Sequence, residues 1–123
     1  MNALVLKILA VGLLFLIIII GGFHVRNKNR IPKLTSVPWL LEPRRAMTIP
    51  PFGIFVRKEY LPVEPWFSAH EEYHWKQYQR LGLFGFYFTY YKGMILRGYF
   101  NNPLELEARE KGGWKKSDRT DAY

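Results

Sequence analysis

The chain contains no cysteine, which excludes disulfide bonds and any metal site built on thiolates. It is also poor in acid, with 10 Asp and Glu against 18 Lys and Arg, giving a net charge of +8. Histidine is scarcer still, at three in 123 residues. A metal held here must therefore use imidazole and carboxylate, a donor set that suits an open catalytic position better than a closed structural site. The basic balance is compatible with nucleic acid or anionic lipid. Next to an apolar segment, lipid is the simpler partner, and no specific nucleic acid is expected.

That apolar segment is the first feature present in strength. Residues 3–23 are Leu, Ile, Val, Phe, Ala and Gly, interrupted only by Lys7. At about 1.5 Å per residue, some 20 helical residues cross a hydrocarbon core of about 30 Å. No basic stretch precedes the run and no small-x-small cleavage pattern follows it, so an anchor is expected over residues 1–25 rather than a cleaved signal. Arg26, Lys28, Arg30 and Lys33 follow the span, whereas Lys7 alone lies toward its start. The positive-inside rule then puts the following domain of a single-pass protein in the cytoplasm.

Residues 26–51 carry Pro32, Pro38, Pro43, Pro50 and Pro51 without a helical period, and are expected to form an extended connector. Gly53, Ile54, Phe55 and Val56 read as a short strand ahead of Arg57. Residues 66–81 are the clearest helix, with Pro65 at its first turn, a Ser68-x-x-Glu71 capping pattern if it begins later, and Gly82 as its stop. Residues 83–100 are apolar and aromatic but hold Lys92 and Arg97, which favours a packed or interfacial helix over a second span. Pro103 opens a last helix to about Glu110, and residues 112–123 are a polar tail.

His70-Glu71-Glu72-Tyr73-His74 is the pattern that carries chemistry. Positions i and i+4 return to one helix face, so both imidazoles can converge on one Zn²⁺. Glu71 can then serve as general base without ligating the metal. Glu72 points off the histidine face, and His24 at the membrane boundary is expected to be interfacial. A third ligand is needed, and Glu105 and Glu107 are the candidates. They stand about 200° apart on a helix, so only one can face the metal.

With these elements the chain resembles the zincin metallopeptidases, in particular the gluzincin type, over about residues 53–109. The resemblance implies an α+β fold: after the transmembrane helix, a minimal zincin-like domain over residues 52–111, with a short edge strand or hairpin, an active-site helix and a glutamate-bearing helix. It implies Zn²⁺ as cofactor, a peptide or protein as substrate, and an edge strand, Gly53 to Val56, that pairs with extended substrate. Related families place an alanine three residues after the ligand glutamate, a spacing met by Glu105 and Ala108. Gln77, three residues after His74, also occurs in several small families with this motif. Arg109 stands where relatives often carry an aspartate that orients a ligand imidazole. That task falls to Glu107, a backbone carbonyl or another acid. Tyr90, Tyr91, Arg97 and Tyr99 are the side chains available to stabilise an oxyanion. The expected activity is membrane-anchored, zinc-dependent peptide hydrolysis. The alternatives are a zinc-stabilised module that binds a partner, or a basic membrane protein that binds anionic lipid or nucleic acid.

Overall fold

The apolar run forms one helix, α1 (Ala3–Asn27), in a computed structural model that describes residues 2–38, 40 and 45–113. Asn2 caps it by accepting the Val5 amide at 2.9 Å. Its large apolar side chains stay exposed, and it is long and apolar enough to span a membrane. Its last turns bond and pack directly against the rest of the domain. The buried Asn27 donates its amide to the Pro51 carbonyl at 2.7 Å, and Phe23 packs on Phe52 with ring centroids 5.2 Å apart. His24 Nδ1 lies 2.5 Å from the Tyr78 hydroxyl. Just beyond the helix, the Trp75 indole donates to the Arg30 carbonyl at 2.7 Å.

Three strands follow: β1 (Leu34–Val37), β2 (Ala46–Ile49) and β3 (Gly53–Arg57). β3 is central, parallel to β1 through Leu34↔Ile54 and antiparallel to β2 through Thr48↔Ile54. Residues 26–51 are therefore not merely a connector, since they supply two strands of the sheet. The described prolines are compatible with this because they stand outside the ladders: Pro32 and Pro38 bracket β1, and Pro50 and Pro51 follow β2.

The sheet order also corrects the substrate-strand expectation. Gly53, Ile54, Phe55 and Val56 lie on the middle strand, with both edges already paired, and cannot receive another strand. Ile54 and Val56 are fully buried, as expected of a strand that is covered and not an edge. β1 and β2 are the edge strands, and β2 is joined to β3 by a tight turn closed by Phe52 N–H to Ile49 O at 2.8 Å.

The helices pack on this sheet. α2 (Pro65–Arg97) breaks at Gly82, whose φ of 79° and ψ of 171° no helix contains. It is two arms, residues 65–81 and 83–97, with the stop where Gly82 predicts it. The first arm begins at Pro65 with Glu64 as the cap residue, so Ser68 lies inside the helix and is not its cap. α3 (Pro103–Lys111) is capped by Asn102, whose side chain accepts the Leu104 amide. Ile54, Trp75, Tyr78, Phe86 and Leu104 form the main core, and Ala46, Val56 and Phe67 a smaller one. Gly93 is required where the second arm meets α3: a Cβ there would stand 2.5 Å from Asn102 Oδ1. The polar tail lies outside the described residues beyond Gly113.

Candidate metal centre

His70 and His74 sit one turn apart on the first arm of α2, and both are buried. α3 brings Glu105 against them. Glu105 Oε2 is 3.2 Å from His70 Nε2, and Oε1 is 3.0 Å from His74 Nε2. The two Nε2 atoms are 3.1 Å apart. One ligand atom from each residue lies within 4.8 Å of the others, so the cluster can hold a metal ion.

The donor set tests the fit. Four ligands at about 2.0–2.1 Å around a tetrahedral ion stand about 3.3 Å from one another. The two imidazole nitrogens, 3.1 Å apart, are close to that value, and each faces a different oxygen of the one carboxylate, at 3.2 Å for His70 and 3.0 Å for His74. The direction of the lone pairs agrees as well. Gln77 Nε2 donates to the Leu104 carbonyl at 2.9 Å and lies 3.2 Å from Glu107 Oε1. This leaves Gln77 Oε1 to accept from His74 Nδ1 at 2.8 Å. His74 in its neutral form then carries its proton on Nδ1 and presents a bare Nε2 toward His70 and Glu105. Acceptors converging in a buried space require a cation or protons between them.

Without a metal, protons take that role. Burial acts most strongly on both groups and opposes their charge. It is outweighed by the attraction between Glu105 and the imidazoles and by their hydrogen bonds, with Glu71 and Gln77 adding to the effect on His74. His74 is raised from 6.5 to about 9, and Glu105 is held well below the usual carboxylate range.

Glu107 faces elsewhere. Its carboxylate takes the Arg80 guanidinium at 2.9 Å and the Gln77 amide, on the rim of the domain. Arg109 is buried with its guanidinium 4.0 Å from the Phe100 ring centroid, and it donates to the Phe100 carbonyl. The orienting task that the resemblance gives to an aspartate is met for His74 by Gln77.

Glu71 is buried at the wall of a cleft of about 220 Å³ that it lines with His74, Thr48 and Tyr90. The Thr48 hydroxyl lies 2.7 Å from Glu71 Oε2 and 2.9 Å from its backbone carbonyl, tying β2 to the first arm of α2. Tyr90, one of the oxyanion candidates, donates instead to Glu105 Oε1 at 2.9 Å. Tyr91 lines the cleft, while Arg97 is exposed at the end of α2. Thr48 gives no signal in the sequence, because its partnership depends on the register of β2. Asn102, fully buried, holds the Tyr90 carbonyl at 2.9 Å while capping α3, so one side chain positions both helices behind the site.

Comparison with known proteins adds no relative: no family model, curated protein or solved structure matches this chain.

Proposed function

We propose that this chain is a membrane-anchored, zinc-dependent metallopeptidase of the gluzincin type. One observation carries the reading: two imidazoles and one carboxylate converge, buried, beside a cleft whose wall holds a further carboxylate, Glu71. Two nitrogens and one oxygen suit zinc with a fourth position left open. When bound, zinc supplies Lewis acidity, polarising a carbonyl and making a water acidic near neutral pH.

His70, His74 and Glu105 are the holding residues in this reading, with Gln77 and Tyr90 fixing their orientation. Glu71 receives the proton of the attacking water and returns it to the leaving amine. Thr48 keeps the Glu71 carboxylate in place through Oε2. β2 forms one wall of the cleft and pairs with no strand on its outer side among the described residues. An extended peptide is held there by main-chain hydrogen bonds. α1 anchors the domain, with Arg26, Lys28, Arg30 and Lys33 on the cytoplasmic side.

The test is a pair of measurements on the purified full chain: metal content, and cleavage of a quenched peptide library by wild type and Glu71→Gln. Zinc in both and cleavage by wild type alone is the expected result. Zinc in both with cleavage by neither leaves a non-catalytic zinc module. A chain that takes up no zinc from excess metal loses the whole reading.

A further inference from the structure

The second arm of α2, residues 83–97, is apolar on more than the side it buries. Phe86 and Gly93 face the domain. On the outward side Phe84, Phe88, Tyr91 and Ile95 recur at helical spacing and form one stripe. Phe84 is 87% exposed and Ile95 82%. A domain standing free in water rarely leaves so continuous an apolar strip uncovered.

The neighbouring element identifies the cover. Phe84 and Tyr87 share a groove with Leu13, Ile17 and Ile20 of α1, whose own apolar side chains are exposed. Leu13 is about 21 Å along the helix from Asn27, so the groove runs far into the segment that is long enough to span a membrane. Arm and anchor thus form one continuous apolar surface. Lys92 does not interrupt it: its ammonium lies 6.0 Å from the Phe88 ring centroid, the position of a side chain that lifts its charge along an apolar face.

We propose that residues 83–97 form an interfacial helix seated in the lipid beside α1, the bilayer being the occupant of this face. The proposal rests on the reading of α1 as a membrane span and is independent of the metal. Tyr87 and Tyr91 line both this face and the cleft beside Glu71 and His74. The mouth of the cleft therefore opens at the bilayer surface, and the substrate class becomes a polypeptide presented there.

The absence of cysteine makes the test direct. Single variants Ile17→Cys, Phe88→Cys, Ile95→Cys, Met94→Cys and Lys58→Cys of the full chain are labelled with a polarity-sensitive fluorophore. Each is reconstituted in phosphatidylcholine nanodiscs containing doxyl-labelled lipid. Position 58 is the aqueous reference, at the end of β3 away from the turn that holds Asn27. Quenching at 88 and 95 is expected within about twofold of that at 17, with none at 58. Position 94, on the cleft wall, is expected to respond to a quencher near the headgroups. If 17 is quenched while 88 and 95 match 58, the arm stands off the membrane and the proposal fails while the anchor survives. If 17 is unquenched, anchor and proposal fall together. Protein-concentration-dependent coupling between labels at 88 or 95, without lipid quenching, identifies a second copy as the occupant and also overturns it. Zinc analysis of the same samples reports on the metal site separately, since its loss leaves the quenching pattern unchanged.

Discussion

Gln77 and His74 are joined at 2.8 Å through Oε1 and Nδ1, and the other end of the Gln77 amide is committed to the Leu104 carbonyl. The first contact fixes the tautomer of a ligand imidazole; the second locks α2 to α3, which carries Glu105. Gln77→Leu removes both at nearly constant volume. Metal affinity, measured by competition with a chromogenic chelator, is expected to fall about 10- to 100-fold.

The assignment of the third ligand can be tested by contrast. Glu105→Gln is expected to lose zinc, whereas Glu107→Gln keeps it, losing the charge of its pair with Arg80 while its side-chain oxygen can still accept from Gln77. Metal analysis of the two purified variants is sufficient. The reverse pattern would reassign the site.

Thr48 reaches Glu71 without touching the imidazole cluster's ligand atoms. In Thr48→Val the zinc content is expected to remain while peptide cleavage drops on the order of tenfold, since a proton acceptor loses its hydrogen-bonded position. Loss of zinc in this variant would mean that Thr48 supports the fold and not the base.

Acid and alkali act in opposite directions on the metal-free chain. The folded state holds the His74 proton up to about 9 against 6.5 when unfolded, so this contribution is complete below 6.5 and lost as pH rises through about 9. Glu105 is depressed below its ordinary 4.5, so its contribution is present above 4.5 and lost as pH falls. With chelator present, the melting temperature is expected to be higher at pH 6 than at pH 9. With zinc this alkaline loss is expected to vanish, because the metal displaces the proton and its occupancy grows with pH toward 9. Thermal melts at the two pH values, with and without chelator, decide it.

Gly93→Ala drives a methyl into Asn102 Oδ1 and Pro103, at 2.5 and 3.0 Å. The expected cost is about 1–3 kcal/mol, read from denaturation of the metal-free chain. A neutral outcome would mean that the second arm and α3 can separate without strain.

How much of this was legible beforehand follows from the range of the interactions. The pairing of His70 with His74 is a consequence of helical pitch, and the Gly82 stop of backbone sterics; both are local, and both stand in the structure. β1 and β2 were hidden because strands of four residues among prolines carry almost no periodicity of their own. The role of β3 was inverted for a related reason: Ile54 and Val56 announce a strand, but how many neighbours it has depends on segments distant in sequence. Glu105 and Glu107 were equivalent by helical angle alone. Arg80 and Gln77, which draw Glu107 away, lie some thirty residues earlier.

The polar ties at Asn27, His24 and Arg30 have a mechanical meaning. They tie the apolar helix to the domain, so in the proposed membrane peptidase the cleft is held at a fixed height and does not swing out in search of a substrate. It works as a ruler. Among polypeptides emerging from the same membrane, the bond placed over the metal would be selected by its distance from the lipid before any side chain is recognised.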